Sequence, residues 1–219
     1  MKPDYERAAL LAAETLDKYE VNSAPVSPLR ILKQIPGVIV VSYATMSDVV
    51  GADRSCVISM FGDHNQDAFT SVNVVDGKPH YIITYNQKLP VNLFQRALAR
   101  ELGHIVLGHN GSLPEEVRIE EAKCFANHFL MPRALVYSVK NTGIRFTADV
   151  VTNLTGCDAY CMSCMRKIPA THVPAELNRR IRDRFMPYIM NFFEFQRVAM
   201  HHDVSALADL GSFMEGYEE

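Results

Sequence analysis

The sequence lacks the features that mark several large classes of protein. It has 219 residues, a formal net charge of −3 and a pI near 6.2, whereas a general nucleic-acid-binding surface needs an excess of basic residues. No apolar run approaches the roughly 18 residues of a transmembrane helix, and charges throughout the first turns of the chain argue against a signal peptide. There is no internal repeat and no low-complexity tract. We therefore expect a globular chain that buries a sizeable core.

Cysteine is also scarce, with five residues in all. An odd number without an export signal favours reduced thiols in a cytoplasm. Cys157, Cys161 and Cys164 have a C-x₃-C-x₂-C spacing that resembles the cluster-binding motif of radical SAM enzymes, but that motif normally opens a large α/β barrel and only a short segment follows it here. Buried free cysteines are the favoured interpretation, and a structural zinc site completed by His172 is the remaining alternative.

The order of the local patterns predicts the fold class. Helical spacing of apolar residues predicts helices at 4–19 and 29–35, and nearly everything from Pro90 onwards reads as helix. Runs rich in β-branched residues predict strands at 37–43, 56–60, 69–75 and 80–85. Asp76-Gly77, between the last two strands, is a hairpin signal. We therefore predict an α+β fold in which a small, largely antiparallel sheet packs with helices and a helical extension follows.

The stretch ALARELGHIVLGH, residues 97–109, carries the first candidate site residues. On a helix, Glu101 falls inside the apolar stripe, where a carboxylate needs a partner. Arg100 and His104 are four residues apart and share one flank. Two histidines at those places would bind zinc, with the glutamate between them acting as general base on a bound water. Arginine offers only donors and has no lone pair for a metal.

The next helical stretch, LPEEVRIEEAKCFANHFLMP at residues 113–132, supplies a carboxylate on the matching side. Glu121 lies at the border of the apolar face, whereas Glu120 lies nearly opposite and should be solvated. A carboxylate at the core side of this helix is where the third ligand of a His₂Glu zinc site would come from. The alternative for Glu121 is an ordinary surface glutamate.

Together, QRALARELGHIVLGH and EEAKCFANHFLMP resemble the ImmA/IrrE family of metallopeptidase-like proteins, whose fold is similar to that of the thermolysin-type gluzincins. The resemblance covers roughly residues 4–140. It implies an ImmA/IrrE-like metallopeptidase domain at 1–140. The pattern of the chain itself suggests a boundary near Asn141-Thr142-Gly143, followed by a helical C-terminal region at 141–219.

The resemblance also implies roles for single residues. Glu101 matches the catalytic base, and His104 and Glu121 match metal ligands, whereas Arg100 stands at the position of the first ligand. We therefore expect zinc to be weak or lost, with His109 or Cys124 as possible replacement ligands.

The function implied by the resemblance is regulatory. Members of the family act on helix-turn-helix repressors of prophages or other mobile elements, so such a repressor is the expected partner, with no direct binding of nucleic acid or membrane. Two hypotheses follow from the altered motif. The chain is a zinc endopeptidase with a weakened or rebuilt site, or it is a pseudoprotease that binds its partner without cutting it.

Arg100 also prompts a structural hypothesis. Without zinc, Glu101 and Glu121 would face each other as like charges. We expect the guanidinium of Arg100 to pair with Glu121, or less readily with Glu101, and to hold the two helices together in place of the metal.

Overall fold

The computed structural model describes residues 1–59, 67–109, 111–140, 147–157, 163 and 172–201. The helices are α1 (Tyr5–Lys18), α2 (Pro28–Leu32), α3 (Tyr43–Val50), α4 (Arg54–Ser59), α5 (Val91–Val106), α6 (Glu115–Leu130), α7 (Arg133–Lys140), α8 (Ala148–Thr155) and α9 (Ala175–His201). The strands are β1 (Val38–Ser42), β2 (Ala68–Val75) and β3 (Lys78–Tyr85). This arrangement confirms the predicted α+β class.

The sheet has the order β1-β3-β2, which makes β2 an edge strand. β2 and β3 form the predicted antiparallel hairpin, and Asp76 and Gly77 both adopt the positive φ that its tight turn requires. β1, however, runs parallel to β3, so the sheet is mixed rather than largely antiparallel. Since α3 and α4 lie between β1 and the hairpin in the chain, β1 joins the sheet by a crossover instead of a tight turn.

The strand predicted at 56–60 is wrong, because residues 56–59 belong to α4. Asp53 precedes this helix, and its carboxylate accepts a hydrogen bond from the backbone N–H of Cys56 at 2.8 Å. The N-cap favours a helix in which Val57 is fully buried against Tyr43 and Phe69. Capping and tertiary packing therefore outweigh the β-branched composition of this short stretch.

The main core lies between the sheet and the helices, and α5 and α6 cross its centre. Gly103 allows their close approach, since a Cβ at this position would lie 3.0 Å from Cδ1 of Phe125. The C-terminal helix α9 adds Leu177, Ile181 and Phe185 to the same core. Its packing on α1 is extended at the surface, where Arg180 and Arg184 form ion pairs with Asp17 at 2.7 and 3.1 Å.

Two further predictions depend on residues of the C-terminal region. The boundary predicted near residues 141–143 lies outside the described residues, as do Cys161 and Cys164. Cys157 is buried and its thiol donates to the carbonyl of Leu130 at 3.6 Å, while His172 is exposed. Among the described residues, no helix combines the length and apolarity needed to cross a membrane.

Candidate functional site

A cleft of about 580 Å³ opens between the β2–β3 hairpin and the helices α5 and α6. The hairpin contributes Phe69, Thr70, Val72, Pro79 and Tyr81; the helices and the loop between them contribute Glu101, His104, Ile105, Gly108, His109, Gly111, Glu115, Arg118 and Ile119. The wall formed by the hairpin is mainly apolar, whereas the carboxylate, imidazole and guanidinium groups come from α5, α6 and their connection. A cleft with this mixture of walls is a common form of ligand site.

Glu101 lies at the floor of the cleft, and only 7% of its surface is exposed, as the helical pattern predicted. The hydroxyl of Thr70 on β2 donates a hydrogen bond to its Oε2 at 2.8 Å. Burial raises the pKa of Glu101 to about 7, although this hydrogen bond and the charge of Arg100 oppose the shift. The carboxyl group is therefore able to exchange a proton near neutral pH, as a general acid or base must.

Arg100 does not pair with Glu121, which corrects the hypothesis of an arginine clamp. Its guanidinium instead lies 3.4 Å from Oδ2 of Asp67, and the two side chains are 30% and 44% exposed. A long, solvent-accessible ion pair of this kind contributes little to stability. The side chain is directed to the side of the helix that meets Asp67, at the beginning of the hairpin, and not to α6.

His109 instead holds the buried carboxylate of Glu121. Its Nε2 lies 2.9 Å from Oε2 of Glu121, and its Nδ1 lies 2.8 Å from Nδ1 of His104. A carboxylate only accepts hydrogen bonds, so the Nε2–H of His109 donates to Glu121. One of the two facing Nδ1 atoms carries the proton of the His104–His109 bond, and this bond completes a continuous chain of hydrogen bonds. We call these three residues the His–His–Glu cluster.

The end of α5 explains how His109 reaches this position. Gly108 adopts a left-handed conformation with φ +66°. Its N–H donates to the carbonyl of Ile105 at 3.1 Å, and the N–H of His109 donates to the carbonyl of His104 at 3.0 Å. These two bonds define a Schellman motif, which turns the chain back over the last helical turn. The five-residue spacing from His104, unfavourable on a continuous helix, thus becomes a direct contact.

The N-terminal helix α1 completes the surroundings of the cluster. The backbone N–H of Asp4 donates to Oε1 of Glu121 at 2.8 Å, so both carboxylate oxygens are satisfied. The guanidinium of Arg7 donates to the carbonyl of Leu107 at 2.8 Å and so caps the C-terminal end of α5. These contacts, and the one from Thr70 to Glu101, were missed by sequence reasoning because they join segments far apart in the chain.

Cys124, the other replacement ligand considered, is buried at the interface of α6 with α1. Its thiol lies 3.6 Å from the carbonyl of Tyr5. Burial raises the pKa of this thiol to about 12, so the thiolate that a metal requires is strongly disfavoured. Cys124 does not line the cleft, whereas His104 and His109 do.

Zinc requires three or four lone pairs that converge on one point. In the described part of the chain, no group of three or more His, Cys, Asp or Glu side chains is arranged in this way. The reason lies in the cluster itself, since its donors and acceptors are directed at one another and Arg100 cannot supply a lone pair. The side chains that resemble a zinc site therefore do not fit the metal in this arrangement.

Burial, together with the neighbouring charges of His109, Arg118 and Arg100, lowers the pKa of His104 to about 4. His104 is therefore a neutral imidazole near neutral pH. A neutral His104 suits the hydrogen-bond chain, because its ring pairs with His109 through Nδ1 and adds no positive charge to the cluster.

The comparison with known families matches the part of the chain that contains these residues. Residues 57–155, somewhat less than half of the chain, match the Peptidase_M78 family, described as the IrrE N-terminal-like domain. No curated protein gives a significant match. The matched segment includes the hairpin, α5 and α6, and therefore the whole cleft. Members of this family are zinc-dependent in general. Residues 57–155 belong to the ImmA/IrrE family of metallopeptidase-related domains.

Proposed function

We propose that this protein is a metallopeptidase-related regulator that binds a partner protein in the cleft and acts by binding rather than by zinc-dependent cleavage. The observation that carries the proposal is the His–His–Glu cluster. Its polar atoms are bonded to one another and to Asp4, and the first ligand position is an arginine directed at Asp67. These contacts support a cleft that is open to a partner, beside polar groups that are bonded to one another rather than arranged around a metal.

The walls of the cleft support binding of an extended peptide segment. β2 is an edge strand, and its Val72, which lines the cleft, is 52% exposed. Ile119 on α6 is also exposed and faces the same space. An accessible edge strand beside apolar side chains is a common binding site for an added strand of a partner. The expected partner is a helix-turn-helix repressor of a prophage or another mobile element.

A second candidate function is a zinc endopeptidase with a rebuilt site. The observation in its favour is that Glu101 is buried beside the cleft with a pKa near neutrality, as a general base would be, while His104, His109 and Glu121 are close together. For this function, the cluster would have to open and direct its nitrogen and oxygen atoms to one metal.

The test uses the full-length protein and the helix-turn-helix repressor encoded on the same genetic element. Isothermal titration measures binding, and intact mass spectrometry measures cleavage, each with zinc and with a chelator. We expect a complex of equal affinity under both conditions and an intact repressor. Val72→Glu should abolish binding, whereas Val75→Glu, at a 49% exposed position of the same strand that does not line the cleft, should not.

Two results would contradict the proposal. Zinc-dependent cleavage of the repressor by the wild-type protein would establish the endopeptidase instead. Equal binding by the Val72→Glu and Val75→Glu variants would place the contact outside the cleft. Arg100→His is the informative further variant, because a gain of zinc binding and cleavage in it alone would show that the arginine is what separates the two functions.

A further inference from the structure

Arg118 is a cation in the cleft whose hydrogen-bonding capacity is not used. It lies in the first turns of α6 and lines the cleft beside Ile119. Its Nε is buried and has no hydrogen-bond partner in the part of the chain that the structure describes. Among the described residues, Arg118 forms no side-chain ion pair, although Glu115 lines the cleft one helical turn away and salt bridges are common at this spacing. A buried donor without an acceptor is unusual in a folded protein.

The partners of the neighbouring carboxylates indicate which kind of group could pair with the guanidinium of Arg118. Glu101 is bonded to Thr70, and Glu121 is bonded to His109 and Asp4. The buried carboxylates near the floor of the cleft thus have other partners. A guanidinium that is partly desolvated and unpaired favours a carboxylate, which it can bind through two parallel hydrogen bonds.

We infer that Arg118 is a specificity-determining residue of the cleft and binds the carboxylate of an acidic side chain in the peptide segment of the partner. The apolar wall formed by Val72 and Ile119 then contacts the side chains next to that acidic residue. This inference rests on the proposed function, since it assumes that a peptide occupies the cleft. It adds the chemistry by which one segment is distinguished from another.

The experiment is a selection of random eight-residue peptides, displayed on phage, against the immobilised full-length protein. Four variants are compared with the wild type. Arg118→Gln removes the charge, and Arg118→Lys keeps it without the planar fork. Lys123→Gln removes an exposed charge from the same helix, outside the cleft, and Val72→Glu disrupts the apolar wall. Thermal melts check that each variant is folded.

We expect the wild type and Lys123→Gln to enrich peptides with an Asp or Glu at one fixed place relative to apolar residues. Arg118→Gln should lose this acidic preference, and Arg118→Lys should keep part of it. For the best peptide, replacing Glu by Gln should weaken binding to the wild type about tenfold, in the range of one charge-assisted hydrogen-bonded pair. The same replacement should leave binding to Arg118→Gln unchanged.

The failures are distinguishable. Enrichment of peptides without an acidic residue by the wild type, or an acidic preference that persists in Arg118→Gln, would overturn the role of Arg118 and leave peptide binding in the cleft intact. If the wild type enriches no more peptides than Val72→Glu does, the cleft is not a peptide site, and both the role of Arg118 and the proposed function are rejected.

Discussion

Two positions on one flank of α5 show how differently neighbouring side chains are constrained. Arg100 and His104 lie one helical turn apart on the same flank. Arg100 meets Asp67 at the surface, whereas His104 lines the cleft and bonds to His109, which holds the buried Glu121. A charged arginine is tolerated at the first position because its guanidinium can reach water. At the second, a change would leave buried polar groups without partners. A long charged side chain is therefore compatible with the fold on the solvent-facing side of this flank, where Arg100 lies.

The largest effect should come from breaking the buried side. His109→Ala removes the donor to Oε2 of Glu121, whose side chain is 5% exposed, and leaves the carboxylate with the Asp4 N–H alone. We expect a loss of about 3–5 kcal/mol in the free energy of unfolding, as for other buried pairs that lose one partner. Urea unfolding measures it. Lys123→Ala, which breaks an exposed pair with Glu120, is the control and should lose no more than about 1 kcal/mol. Similar losses in the two variants would mean that the cluster does not stabilise the fold.

The stability of the protein at low pH should depend on a buried imidazole near the C-terminal end of α6, that of His128. Burial, with a smaller effect from Arg133, lowers the pKa of His128 from 6.5 to about 4. The unfolded chain thus binds a proton at His128 more readily than the folded chain. Stability falls as the pH decreases from about 6.5 towards 4, and His128 contributes up to about 3 kcal/mol to this loss. His104, with a pKa also near 4, acts in the same direction.

His128→Gln should remove its share of this pH dependence, measured as the difference in unfolding free energy between pH 7 and pH 4.5. His80→Gln, at an exposed position of β3, is the matched control and should leave the pH profile as in the wild type. A profile that is equally steep in all three proteins would show that His128 is accessible to protons in the folded state.

A smaller loss of stability is expected from changing the turn at Gly108, which brings His109 back to His104. Gly108→Ala places a Cβ at φ +66°, although no atom lies within 4 Å of that Cβ. Backbone strain alone should then cost about 1–2 kcal/mol. The control is Gly111→Ala in the same loop, which also meets no neighbouring atom and has no left-handed φ. If both variants are equally stable, the turn does not hold His109 in place by its conformation.

The smallest effect should come from the exposed side. Arg100→Ala should change the free energy of unfolding by less than about 1 kcal/mol, because its partner Asp67 is also solvent-accessible. A double-mutant cycle with Asp67→Ala isolates the contribution of the pair. A loss near 3 kcal/mol for Arg100→Ala would contradict the asymmetry between the two sides and restore the hypothesis that this arginine holds α5 and α6 together.

The sequence by itself determined the helix α5, the burial of Glu101 and the face of α6 on which Glu121 lies. The helical period places Glu101 among apolar residues, and it places Glu121 at the edge of the apolar face. These are local properties, set by the repeat of one helix. That Arg100 cannot be a metal ligand was also readable from the sequence, because arginine has no lone pair in any conformation.

Only the tertiary structure decided which groups meet. His109 contacts His104 and Glu121 because Gly108 reverses the chain after α5, and Gly followed by a polar residue was a signal of such a turn that could have been used. The contact of Asp4 with Glu121 joins residues 117 positions apart, and no periodicity reports it. Similarly, whether Arg100 reached α6 or the surface depended on where Asp67 lay. The partners of a side chain are set by long-range packing, whereas its face on a helix is set by local geometry.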